Sequence, residues 1–256
     1  MIKNLKRPSQ ENNAERIDSL ITADQNREMF NSIAPYYDGA NRILSIGLDH
    51  LWRRTAVKRL APKNEHVYLD VGCGTGDICL EMVRQNPTTR VIGIDPSLGM
   101  LEIGWKKIRQ YGVDSQISLR QGNCLDLDFP DNSFDGVITA FCIRNVTDHK
   151  KAFSEIVRVL KPGAKLVVME LTEPMGLIMK PLFRIYAKTV MPTVTKIMSS
   201  VSAYKYLTDS MAAFPKPEKI TNLMIDAGMA NVSNFSMTFG IVTIFHGFKI
   251  IAHESF

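Results

Sequence analysis

Asp70-Val71-Gly72-Cys73-Gly74-Thr75-Gly76-Asp77 closes an apolar run at 67–71 and opens a helical pattern at 77–85, so it occupies a strand-to-helix turn. Ligands of open α/β sheets bind at the carboxyl ends of strands. Glycines there let the backbone turn sharply and approach a ligand with no Cβ in the way. A dinucleotide fingerprint reads GxGxxG, whereas this loop reads GxGxG, with Asp77 where the third glycine would stand. A pyrophosphate beside Asp70 and Asp77 would meet like-charge repulsion; a ligand carrying a sulfonium and an amino group would not. Taken alone, the loop also reads as a plain tight turn, and its neighbours decide between the two readings.

Outward from the loop, strand patterns at 67–71, 91–94, 117–119, 136–139 and 165–170 alternate with helical patterns at 77–85, 99–111 and 149–160. That alternation predicts right-handed βαβ units and a doubly wound, mostly parallel sheet. Asp95 ends the second strand and can accept two hydrogen bonds from a ribose diol. Asn123 follows the third strand, placed to read an adenine edge through its amide. Three successive strand ends thus address three parts of one ligand. Before the core, 27–60 reads as helical pieces around Pro35 and Gly47, forming a lid, and 1–26 reads as a flexible terminus. After it come a Met-rich basic helical insertion (173–206), a helix at 217–227 and strands at 232–238 and 241–248, all within one domain spanning 27–256.

Composition agrees with a globular chain: 256 residues, 45% apolar and 22% charged, with net charge +5. The first twenty residues lack a signal-peptide pattern, and no apolar run is long enough to span a bilayer, so a cytoplasmic location is expected. Cys73, Cys79, Cys124 and Cys142 show neither zinc-like spacing nor a disulfide framework, so no metal is expected. No basic run interleaves with aromatics, which argues against nucleic acid as a partner.

Further blocks narrow the reading. They are Met29-Phe30-Asn31-Ser32-Ile33-Ala34-Pro35-Tyr36-Tyr37-Asp38, Asn41-Arg42, Leu51-Trp52-Arg53-Arg54, and Phe129 to Asp135. To these add Phe141-Cys142-Ile143-Arg144-Asn145-Val146-Thr147-Asp148, Arg158 to Gly163, Tyr204-Lys205-Tyr206 and His246-Gly247-Phe248-Lys249. Together they resemble the ubiquinone/menaquinone biosynthesis C-methyltransferase family, within the class I S-adenosylmethionine-dependent methyltransferases. The resemblance implies a seven-stranded sheet whose last strand is antiparallel. It also implies S-adenosylmethionine as cofactor and methylation of a ring carbon of a polyprenyl quinol, either demethylmenaquinol or a benzoquinol precursor of ubiquinone.

Cofactor contacts are then expected at Thr75, Asp95, Asn123, Cys124 and Ala140, the last through backbone only, alongside Asp70, Gly72, Gly74 and Gly76 of the loop. The family pattern has glycine where Cys142 stands, so this side chain narrows or reshapes the acceptor pocket. Arg144 and Asn145, directly after the fourth strand, are expected to stabilise oxyanion character on the acceptor. Arginine stays protonated, so the base is Tyr37, Asp38, His246 or water; for Tyr36, Tyr37 and His246 a structural role competes with a catalytic one.

Lys180, Arg184 and Lys188 recur every four residues beside Leu177, Ile178, Leu182, Phe183 and Ile185. The pattern fits a substrate cover in peripheral contact with the inner face of the cell membrane, and equally an ordinary amphipathic surface helix. A homodimer is allowed for. The competing functional reading is an O- or N-methyltransferase of another small hydrophobic molecule.

Overall fold

The computed structural model describes residues 22–172 and 201–251, with Pro174, Pro181, Tyr186 and Thr189 between them. Seven strands form one sheet in the order β3-β2-β1-β4-β5-β7-β6. They are β1 (Val67–Val71), β2 (Arg90–Asp95), β3 (Ile117–Gln121), β4 (Phe134–Ala140), β5 (Leu160–Leu171), β6 (Met229–Met237) and β7 (Val242–Lys249). β1 to β5 run parallel, and β7 lies antiparallel between β5 and β6. The doubly wound sheet with an antiparallel last strand is therefore as expected. Strand order reverses between β1 and β4, and crevices at such switch points are where this class of sheet receives ligands.

Seven helices accompany the sheet among the described residues. They are α1 (Ala23–Leu44), α2 (Leu48–Leu60), α3 (Asp77–Gln85), α4 (Leu98–Tyr111), α5 (His149–Val159), α6 (Val201–Ala213) and α7 (Pro217–Asp226). α2, α3 and α4 cover one face, where Ala56, Val57, Cys79, Met82 and Leu101 are buried against Tyr68, Ile138 and Val167. α5 and α7 cover the other, where Phe153, Ile156, Ile220 and Met224 pack on Leu69, Val137 and Phe245. Burial on both faces explains why β1 reads as a continuous apolar run interrupted only by Asp70.

Five expectations shift. Pro35 lies inside α1 and does not break it. The helix begins at Ala23 under a Thr22–Gln25 capping box, four residues earlier than the composition of 27–60 suggests. β5 starts at Leu160, where a helix end was expected, and β6 starts at Met229, three residues early. α6 straddles the expected end of the insertion at 206, while Lys180, Arg184, Lys188 and their apolar partners fall outside the described residues.

Candidate active site

The turn after β1 is shaped by conformations that glycine alone adopts freely. Gly72, Gly74 and Gly76 take φ of +72°, +54° and +80°. A Cβ on Gly72 would stand 2.3 Å from Cys142 Sγ, whereas one on Gly74 would meet nothing within 4 Å. Gly72 is thus required by a close crossing of the β1 and β4 loops, and Gly74 faces open space. Gly72 and Cys73 donate their N–H groups to Ile94 O at 2.8 and 2.9 Å, welding the turn to β2.

Asp95 completes the turn from the neighbouring strand. Its Oδ2 accepts from Gly74 N–H and its Oδ1 from Ser97 N–H, both at 2.9 Å. Burial lifts its pKa to about 6 against the pull of these bonds. Each oxygen retains a lone pair for a ligand. Asp70 sits deeper: burial lifts its pKa to about 7, Cys79 Sγ donates to its Oδ2 at 3.2 Å, and its buried Oδ1 has no partner. Asp77 is spoken for, since it pairs with Lys107 and lies 3.7 Å from Arg53 Nε. Burial opposes its charge, but Arg53 and Lys107 overcome that and hold its carboxyl below the usual range. Of the two loop acids invoked for a cationic ligand, only Asp70 is left uncompensated.

A cavity opens at the switch point. Gly72, Gly74, Asp95, Asn123, Cys124, Ala140, Tyr37 and Asn145 line it, together with Cys142 and Phe141. Asp70, Thr75, Gly76 and Arg144 do not reach its wall. Thr75 instead donates its hydroxyl to Asp38 Oδ1 at 2.6 Å, and Lys107 reaches Asp38 Oδ2 at 2.8 Å, so the loop is tied to α1 from outside. Gly76 serves as the left-handed entry to α3. Asn123 Oδ1 accepts from Leu125 N–H at 2.9 Å, which orients the side chain at the rim.

Arg144 is positioned differently from expectation. Its Nη1 reaches Glu170 Oε2 and Phe141 O, each at 3.1 Å, and its N–H donates to Glu170 Oε1 at 3.1 Å. The pair is almost fully buried. Burial raises the Glu170 pKa and works against the Arg144 charge, while the mutual attraction keeps the guanidinium protonated. Arg144 therefore braces the turn after β4, where Phe141 holds φ +58°, an uncommon conformation for a bulky residue. Asn145 does face the cavity, with Nδ2 donating to Phe141 O at 3.2 Å.

Sequence reasoning missed two residues here: Asn26, which lines the cavity, and Tyr206, which does not line it but bonds to Asn26 and Asn145. Tyr206 on α6 donates to Asn145 Oδ1 at 2.9 Å and accepts from Asn26 Nδ2 at 2.7 Å. Burial pushes its pKa up to about 12. Nothing in the Tyr204-Lys205-Tyr206 block signals a partner on α1. Tyr37 is half-buried at the same wall, its pKa raised by burial and tempered by Arg53 and Asn41. His246 lies elsewhere, on β7 beside Ser233 Oγ at 3.1 Å, and Asp38 is engaged with the loop, so neither lines the cavity.

This fold recurs in solved methyltransferase structures. An S-adenosylmethionine-dependent methyltransferase from Aquifex aeolicus superposes with a TM-score of 0.57 at 17% identity, covering 77% of this chain and 89% of that one. Phosphoethanolamine N-methyltransferase 2 of Haemonchus contortus, bound to S-adenosyl-L-methionine, gives 0.61 at 17% identity over 86% of this chain and 60% of that one. The architecture is that of the class I methyltransferases. At the level of sequence, the model of the ubiE/COQ5 methyltransferase family matches residues 20–249. A ubiquinone/menaquinone biosynthesis C-methyltransferase of Geobacter sulfurreducens is 41% identical over 224 residues, 87% of this chain and 88% of the relative. A demethylmenaquinone methyltransferase of Bacteroides fragilis is 40% identical over 228 residues, 89% and 93% of the two chains. The chain belongs to the ubiE/COQ5 methyltransferase family and is a methyltransferase.

Proposed function

We propose that this protein transfers the methyl group of S-adenosylmethionine to a ring carbon of a polyprenylated quinol, either a demethylmenaquinol or a benzoquinol precursor of ubiquinone. The observation that carries the reading is that Asp95 and Asn145, on opposite sides of the strand reversal, line one cavity. The residues present fit the cofactor: Asp70 Oδ1 is buried without a partner, suited to the field of an ammonium group, and Gly74 offers open backbone. When bound, the cofactor supplies an electrophilic methyl on a sulfonium.

The chain's own residues then divide the work. Gly72 and Gly74 admit the ligand against bare backbone, and Asp95 accepts from a ribose diol. Asn123, Cys124 and the backbone of Ala140 bound the base. Thr75 and Gly76 act behind the surface, by holding the loop's shape. On the acceptor side, Tyr37 remains protonated at neutral pH, because burial raises its pKa, and so acts as a hydrogen-bond donor to a quinol oxygen. Asn145 is the second candidate to touch the ring, and Arg144 is a positioning residue that fixes Asn145 through the Phe141 turn. With both reactants held in register, orientation supplies most of the acceleration.

Cys142 favours a second reading. Its side chain fills the crossing beside Gly72, so a smaller acceptor methylated on oxygen or nitrogen would sit there more easily. Incubating the purified protein with labelled S-adenosylmethionine and each reduced quinol separates the two. Label on a ring carbon is expected; no transfer to either quinol would favour the second reading. A prenylated acceptor also calls for a peripheral position on the cytoplasmic face of a membrane, and no described helix is long and apolar enough to cross one.

A further inference from the structure

The turn joining α1 to α2 carries bulky apolar side chains turned outward. Ile46 is 80% exposed and Ile43 58%, with Leu48 and Leu51 exposed beside them. Isolated exposed apolar residues are ordinary, but a contiguous group marks an interaction surface. Ile46 also holds φ +54°, a left-handed conformation that a β-branched residue rarely adopts. Glycine or asparagine would serve the turn better, so something other than folding of the free protein accounts for isoleucine there. The turn between β6 and β7 adds Phe239, 70% exposed at φ +56°, beside this group because Thr238 Oγ1 accepts from Trp52 Nε1 at 2.8 Å.

Charge identifies the occupant. Residues 39–64 hold six Lys or Arg and a single acid, Asp49, an excess equal to the net charge of the whole chain, +5. Asp49 is buried and paired with Arg53 at 2.6 Å and Arg42 at 3.3 Å, so it offers nothing to solvent. The outward side of α2 runs from Leu48 and Leu51 at the tip to Arg54 and Lys58 behind it, all exposed. Glu81, the neighbouring acid on α3, is engaged by Arg84 and Gln85. An apolar tip with a cationic collar one to two turns behind it matches the depth profile of a bilayer, acyl boundary first and anionic headgroups next.

We propose that the α1–α2 corner docks the protein on an anionic lipid bilayer, with Ile43, Ile46, Leu48 and Leu51 dipping into the acyl boundary and Arg54 and Lys58 meeting the headgroups. The inference rests on the reading that the acceptor is carried in lipid, and it locates the contact at the α1–α2 corner, where Tyr186 of 173–206 donates its hydroxyl to Leu44 O at 2.6 Å. The geometry links corner and cavity: Trp52, buried on α2, stands edge-on to Phe141 of the cavity wall at 6.4 Å. Docking there brings the cavity to the membrane side of the molecule.

Sedimentation of the full chain with phosphatidylcholine vesicles, with and without phosphatidylglycerol, tests the proposal. The parent protein is expected to bind the anionic vesicles. Ile46→Asn is expected to bind them about tenfold more weakly, the loss of roughly one buried apolar side chain. Its melting temperature should be equal or higher, because asparagine relieves the left-handed turn. Leu51→Ser gives a second reading should the first variant misfold, and Arg54→Glu with Lys58→Glu should remove the preference for anionic vesicles.

Activity separates this inference from the proposed reaction. Ile46→Asn should methylate a short-tailed soluble quinol as the parent does, and a vesicle-borne long-tailed quinol more slowly. Unchanged vesicle binding by Ile46→Asn and Leu51→Ser, or no vesicle binding by the parent, overturns the docking surface while leaving the reaction standing. A parent dimer that Ile46→Asn converts to monomer without altering vesicle binding assigns the corner to self-association and likewise overturns it. Failure of the parent to methylate either quinol counts against the reaction alone.

Discussion

The two halves of the cavity are built by different means. The cofactor half is local: the loop after β1, the end of β2 and the turn after β3 all fall within residues 70–124, and backbone N–H groups hold its key acid at 2.9 Å. The acceptor half is assembled from afar, by Tyr37 on α1 and by Asn26, Tyr206 on α6 and Asn145 after β4, the last three joined through side chains. A backbone cradle is rigid before any ligand arrives, while a wall of side chains from separate helices can open and close. On the proposed reading, binding of the cofactor and selection of the acceptor rest on parts of different stiffness.

The comparison is tested most sharply at Arg144, which braces the turn after β4 on the acceptor side. Replacing it with alanine strands Glu170 in the core, and thermal unfolding should show a loss of about 3–5 kcal/mol. Removing both charges together with apolar residues should cost much less. If Arg144→Ala leaves the melting temperature near that of the parent, the turn after β4 is not braced as described.

Gly72→Ala comes next. It forces an alanine to φ +72° and drives its Cβ against Cys142, so a destabilisation of about 1–3 kcal/mol is expected, with cofactor binding lost in calorimetry. Adding Cys142→Gly should recover the part due to the clash and leave the part due to the dihedral.

Acid should weaken cofactor binding while stabilising the ligand-free protein. Asp70 and Asp95 have folded-state pKa values of about 7 and about 6, above the value near 4 of an unfolded chain. The folded state therefore keeps the extra protons between those limits. Stability of the ligand-free protein falls as pH rises from about 4 to 7, and Asp70→Asn should flatten that slope. Affinity for S-adenosylmethionine should move the other way, rising about tenfold from pH 5.5 to 7.5 as the carboxylates ionise. Titrations at the two pH values check this, and a flat profile would remove the electrostatic part of the account.

The smallest effect is expected at the acceptor wall. Tyr206→Phe deletes the bridge between Asn26 and Asn145, with about 0.5–1.5 kcal/mol of stability. It should raise KM for the quinol while leaving cofactor affinity as it was. A change in cofactor affinity of the same size would show that the halves are not separate.

The same contrast explains what could be read from residues alone. The GxGxG turn, Asp95 and Asn123 announce themselves by residue type at strand ends, and the structure brings Gly72, Gly74, Asp95 and Asn123 to one cavity. Asp77 misled, because its partners Arg53 and Lys107 stand 24 and 30 positions away and no spacing rule pairs them. Arg144 misled for a similar reason, since Glu170 lies on the next strand and neutralises the charge that the Arg-Asn block displays. Pro35 also misled, since α1 runs through it from Ala23 to Leu44 although proline is a local breaker. The link from Asn26 to Tyr206 spans most of the chain and had no sequence signal.

The division of labour is tested most directly by titrating S-adenosylmethionine into Asp95→Ala and Asn145→Ala side by side. The account predicts at least a tenfold loss of affinity for the first and a value within about twofold of the parent for the second, whose defect should instead be in turnover of the quinol. Equal affinities in both variants, or a loss confined to Asn145→Ala, would contradict it.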